Sequence, residues 1–112
     1  MHRLIAPEVF YGLCDNDRAL ASQLLDMFLR TFAEDLASLE HAIAGNNRPG
    51  TSRLAHKMAG SVLLFGATPT ADRLRLISRQ LSDGGAEIAH GDYEALHIDL
   101  VQILVEVRTI GR

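Results

Sequence analysis

Tryptophan is absent from the 112 residues, aromatic side chains make up 5 %, and cysteine occurs once. So few rings suit a helical core filled by Leu, Ile, Val and Ala. The lone Cys14 excludes an internal disulfide and fits a reducing compartment. Neither sign of charge dominates: 11 Lys and Arg against 14 Asp and Glu leave a net charge of −3. With no basic footprint, nucleic acid is not an expected partner. No apolar run approaches the roughly 18 residues of a membrane span, and nothing resembles a signal peptide. Membrane contact is therefore not expected either. Also missing are a Walker A pattern, a Gly-rich nucleotide loop and a carboxylate cluster for a metal. The length suits a single domain over residues 1–112, large enough to bury a core without staples.

What is present is helical periodicity. Residues 5–13 read as a short helix with Pro7 in its first turn and Gly12 near its end. Asp15, Asn16 and Asp17 supply cap chemistry for a long helix to about Ala44. Its apolar stripe is Leu20, Leu24, Leu25, Phe28, Phe32, Leu36, Leu39 and Ile43. Residues 45–50, Gly-Asn-Asn-Arg-Pro-Gly, form the richest turn signal and are expected to break the helix. A third helix follows and stops at Gly66; Thr68-Pro69 opens a fourth with Ala71, Leu74, Ile77 and Leu81 inward, ended by Gly84-Gly85. A last helix from about Asp92 turns Tyr93, Leu96, Leu100, Ile103, Leu104 and Val107 inward. No segment alternates with period two. The expected fold is all-α, an antiparallel up-down-up-down four-helix bundle with a short N-terminal helix attached.

The chain is organised around the third helix. At about 100° per residue its apolar side is Leu54, Met58, Ser61, Val62 and Phe65. His56 falls about 150° from the middle of that stripe and should face solvent. Gly60 stands one turn further on, where a side chain leaning toward the helix N-terminus would roof the ring. Gly in a helix interior costs about 1 kcal/mol relative to Ala, so its presence asks for a reason. Open access to the imidazole is one.

The run His56-Lys57-Met58-Ala59-Gly60-Ser61, continued to Phe65-Gly66-Ala67, resembles the motif of histidine-containing phosphotransfer (HPt) domains. The resemblance covers nearly the whole chain and admits the C-terminal domain of a hybrid sensor histidine kinase as well as a freestanding module. It implies that His56 is the phosphoacceptor, with Gly60 the small residue beside it and Ser61 the motif serine. It also implies a carrier without kinase activity of its own, exchanging phosphoryl groups with the aspartates of receiver domains in two-component signalling. Two positions depart from the family pattern. Ala59 stands where Lys is frequent, and Ser78 aligns with a position on the following helix that is commonly Glu or Gln.

Imidazole suits the task, since its unperturbed pKa of about 6.5 leaves a nucleophilic nitrogen near neutral pH. Phosphoryl transfer needs positioning and charge neutralisation more than covalent help from the protein. No cofactor is expected to be bound by this domain; Mg²⁺ would come with the receiver's acidic pocket. Lys57, Ser78 and Arg79 are candidate supports around the phosphoryl group, the last two on the fourth helix at a level that an antiparallel turn at Gly66 brings near His56. Arg53, Ala59, Leu63 and Leu64 are expected on the polar side of the helix as a receiver-docking patch. The isolated domain is expected to be monomeric, and cytoplasmic or on the cytoplasmic side of a sensor kinase. The alternative reading is a non-catalytic adaptor that docks receivers through the His56 face.

The remaining features have plainer explanations. His2, His41, His90 and His97 read as solvated. Glu87-x-x-His90 and Glu94-x-x-His97 lack the inward carboxylates on other helices that a di-iron bundle needs, so no metal is expected. Ser61 could hold the imidazole as a supporting residue or equally bond back to a carbonyl one turn earlier, and Cys14 reads as a small core residue.

Overall fold

Short polar side chains set the helix boundaries. A computed structural model describes residues 3–82 and 90–111 of the chain. Among them are five helices and no strand: α1 Pro7–Leu13, α2 Arg18–Ala44, α3 Arg48–Leu63, α4 Thr68–Ser82 and α5 His90–Ile110. Asp15 and Asn16 turn the chain at φ 54° and 57°, a left-handed conformation that Asp and Asn adopt most readily after Gly. Asp17 then caps α2 by accepting from the Leu20 N–H at 3.1 Å. Only residues 45–47 interrupt the chain between α2 and α3, half the break expected from the sequence. Asn47 accepts from the Gly50 N–H at 3.0 Å, so α3 starts inside the supposed turn, with Pro49 in its first turn. The Asn47 side chain lies 2.5 Å from where a Cβ on residue 50 would sit, so a larger residue there would push the capping amide aside. The expected stop at Gly84-Gly85 and the Glu87-x-x-His90 pair lie outside the described residues.

Contacts at separate heights give the helix directions. Asp35 meets Lys57 while Phe28 meets Phe65, so α2 and α3 are antiparallel. Ser52 meets both Ser78 and Ser82 across the tight connection from α3 to α4. Glu40 meets His97, whereas Leu25 lies beside Gly111, so α5 also runs against α2. The N-terminal segment is tied down at two points. Leu4 and Ile5 donate backbone N–H groups to the Glu106 carboxylate, and the Ala6 N–H donates to the Phe65 carbonyl.

All four phenylalanines are buried, despite the scarcity of rings. Phe10 stacks on Phe65 at 4.6 Å, and Phe28 sits between Phe65 and Phe32. Each contributes about 1.5–3 kcal/mol relative to an exposed ring. They gather at the end of the bundle where α1 meets the α3–α4 turn. Leu, Ile, Val, Met and Ala fill the rest, including the expected α4 stripe Ala71, Leu74, Ile77 and Leu81 and, from α5, Leu96, Leu100, Ile103 and Val107. Cys14 is buried at the end of α1.

Two parts of the expected α2 stripe are misplaced. Leu20 and Leu24 are exposed, and Ala21 and Leu25 take the inward positions. The buried side centres near Phe28, Phe32 and Leu39, which leaves Leu24 and Leu20 about 60° and 100° round the helix.

Candidate functional site

The buried side of α3 is Thr51, Ser52, Ala55, Met58, Ala59 and Val62, with Leu54 and Ser61 only half-buried. That stripe is turned about 70° from the one the apolar pattern predicts. Small residues cause the turn. α3 and α4 are the most closely packed pair of helices, and Ser52, Ala55 and Ala59 occupy the side of α3 that a large side chain would hold away from a neighbour. His56 therefore stands about 100° from the middle of the buried stripe, on the flank facing α4 and still exposed. A helical side chain leans over the turn before its own Cα, so the imidazole lies toward the level of Ser52 and Arg53.

That flank forms one wall of an open groove of about 560 Å³ between α3 and α4. Arg48, Pro49, Ser52, Arg53 and His56 line it from α3, and Ser78, Leu81 and Ser82 from α4. Its floor is a serine cluster. Ser52 Oγ donates to the Ser78 carbonyl at 2.9 Å and lies 3.2 Å from Ser78 Oγ and 2.8 Å from Ser82 Oγ. These hydroxyls satisfy each other without adding charge. No Asp or Glu lines the groove among the described residues, while two arginines do. Such a surface is suited to a dianion beside the ring.

The expected site residues divide. Gly60 is exposed, and a Cβ there would meet nothing within 4 Å, so the space one turn beyond His56 is open. Arg53 shares the groove with His56, as does Ser78, whose hydroxyl pairs with Ser52 one turn before His56. Leu64 is exposed at 44 % and Leu63 half-buried against the core.

Three expectations need correction. Ala59 is 1 % exposed and cannot be part of a docking patch, because the rotation of α3 carries it into the α3–α4 contact. Lys57 directs Nζ to Asp35 Oδ1 at 3.0 Å, on the α2 side of the helix, and is not available beside His56. Ser61 Oγ donates back to the Lys57 carbonyl at 3.3 Å, one of the two readings the sequence left open. Arg79 is exposed on α4 but does not line the groove.

Ser52, Ser82 and Arg48 were not singled out from the sequence. Ser52 was legible in principle, since it stands four residues before His56, where the ring leans. Ser82 repeats Ser78 one turn later. His97, expected to be solvated, is half-buried with Nε2 2.6 Å from Glu40 Oε1. No group of three His, Cys, Asp or Glu side chains converges on a possible metal site among the described residues. Nor is any described helix long and apolar enough to cross a membrane.

Comparison with curated proteins gives no match, and comparison with solved structures gives none. The family comparison does. The Hpt domain family matches over residues 23–106, from the second turn of α2 to the last turn of α5, with His56 and its groove inside the matched span. An all-helical chain with an exposed histidine on its third helix, matched over three-quarters of its length, belongs to the Hpt domain family, whose members take part in phosphotransfer in two-component signalling.

Proposed function

We propose that His56 is the phosphoacceptor of a phosphorelay, taking a phosphoryl group from a receiver-domain aspartate and passing it to another receiver. The observation that carries this reading is an exposed imidazole beside a groove that no carboxylate lines among the described residues, with Gly60 leaving the turn beyond it open. A ring nitrogen attacks the phosphorus of the aspartyl phosphate. The N–P bond forms as the P–O bond to the carboxylate breaks, and the carboxylate leaves with the electron pair. The other ring nitrogen keeps its proton. The reverse sequence delivers the group to the next receiver, and the receiver's acidic pocket supplies Mg²⁺ for both steps. Exposed Leu64 and the open surface at Gly60 form the contact on the domain's side. The domain works as a monomer.

The test is transfer from a radiolabelled phospho-receiver to the purified domain. Acid-labile, base-stable label appears on the wild type and is absent from His56→Gln. Equal label on both proteins overturns the assignment. Equal binding of both to the receiver, with label on neither, establishes an adaptor instead.

A further inference from the structure

The groove poses a charge problem. A phosphoryl group on an imidazole carries about two negative charges, and phosphoryl transfer relies on nearby cations to neutralise them. The turn after His56 offers none, because Ala59 is buried and Gly60 has no side chain. Lys57 is committed to Asp35 on the other side of α3, and Arg48 already has a partner. Arg53 differs on every count. It is exposed, lines the groove with His56, and makes no hydrogen bond or ion pair among the described residues. It precedes His56 by three residues, the spacing at which helical side chains meet. The ring itself leans toward that earlier turn.

We infer that Arg53 binds the phosphoryl group carried by His56, supplying from the turn before the histidine the positive charge that the turn after it lacks. This rests on His56 being the acceptor. The role differs from docking a receiver, because it requires contact with the phosphoryl oxygens whether or not a receiver is present. A guanidinium is built for that contact, with N–H groups in a planar fork matched to phosphate oxygens. The serine floor leaves the space beside it neutral, and among the described residues no carboxylate lines the groove to compete for the arginine.

Phosphoramidate provides a donor with no receiver surface. The His56 nitrogen attacks its phosphorus, the N–P bond to the ring forms, the donor's P–N bond breaks, and ammonia leaves with the electron pair. Arg53→Ala should slow labelling of His56 by phosphoramidate about tenfold, the effect expected for one charge-assisted hydrogen bond. Arg53→Lys should recover part of the rate. The ³¹P resonance of the phosphohistidine should move in Arg53→Ala while the melting temperature stays put. If Arg53→Ala slows transfer from a receiver but leaves phosphoramidate labelling and the ³¹P resonance unchanged, Arg53 only docks the partner and the inference is overturned. If the wild type takes no label on His56 from either donor, the phosphoacceptor reading fails instead.

Discussion

Two interhelical seams in this bundle each carry a histidine, and they treat it in opposite ways. On the α2–α5 seam, His97 Nε2 lies 2.6 Å from Glu40 Oε1 and its ring is 5.9 Å from that of Tyr93. On the same helix Asp99 pairs with Arg73 from α4. On the α3–α4 seam, among the described residues, His56 has no hydrogen-bond partner, the serines bond only to one another and to backbone, and no carboxylate enters the groove. An imidazole bonded to a carboxylate has one nitrogen occupied and a negative charge beside it, and both oppose a phosphoryl dianion. The surroundings, more than the side chain, set the two rings apart, and only those of His56 suit the phosphoacceptor role proposed for it.

The sharpest way to break this contrast is to remove each ring in turn. His56→Gln should abolish acid-labile phosphorylation by any donor, whereas His97→Gln should leave its rate within about twofold of wild type, because transfer depends on the acceptor nitrogen and its immediate charge environment. Label lost in both variants would mean that the α2–α5 pair is part of the site. The next effect in size concerns the open roof. Gly60→Leu puts side-chain atoms where nothing now lies within 4 Å. Receiver transfer should fall at least tenfold, since small displacements in the approach to a reacting atom cost about 10²-fold. The melting temperature should stay equal to or above that of wild type, because Gly is the poorer helix former. Unimpaired transfer would show that partners approach His56 from another direction.

The helices themselves were legible from spacing alone, because 3.6-residue stripes and Asx caps are local signals. α4 and α5 present inward the residues their periodicity selects. The rotation of α3 was not legible, and the reason is physical. Hydrophobic patterning weights Leu54 and Phe65, but helix packing is also decided by how near two backbones can come. Ser52, Ala55 and Ala59 act through their smallness, which a hydrophobicity count does not register. The same error hid the serine floor and made Ala59 look exposed. Asp35 was illegible for a related reason: a carboxylate on the α2 core side is tolerated because Lys57 reaches across to it from the neighbouring helix. His56 and Gly60 could be read because exposure and an empty position each leave a mark in sequence.

That ion pair gives a smaller test of the division between seams. Lys57 belongs to the fold and not to the groove, although it is the very next residue after His56. Its side chain is 56 % exposed, while that of Asp35 is 9 % exposed and its Oδ2 has no hydrogen-bond partner among the described residues. Lys57→Ala strips the buried carboxylate of the cation it pairs with. The cost should be about 1 kcal/mol, near the lower bound for orphaning a buried polar group because solvent screens the exposed ammonium. Urea denaturation measures it. Phosphoramidate labelling of the same variant should stay within about twofold of wild type. A stability unchanged within error together with slowed labelling would place Lys57 in the site after all.

The smallest effect belongs to the other seam. The Tyr93 hydroxyl is buried without a hydrogen-bond partner among the described residues, and burial raises its pKa above the ordinary phenol value of 10.0, with the Glu40 carboxylate adding to the rise. In the unfolded chain the phenol ionises near its ordinary value, so above about pH 10 the unfolded state releases its proton before the folded state does. Protons then favour the folded state, and stability declines as pH climbs through that window. The contribution is fully present below the unfolded value and disappears above the folded one. Tyr93→Phe removes this titration. Its stability should match or slightly exceed that of wild type near neutral pH, since a buried unpaired hydroxyl is lost. It should also fall less steeply between about pH 9 and 11. Arginine and lysine titrations are common to both proteins and cancel in the difference between their urea midpoints. Parallel midpoints across that range would mean that the Tyr93 hydroxyl reaches water, and that the α2–α5 seam is looser there than the groove beside His56.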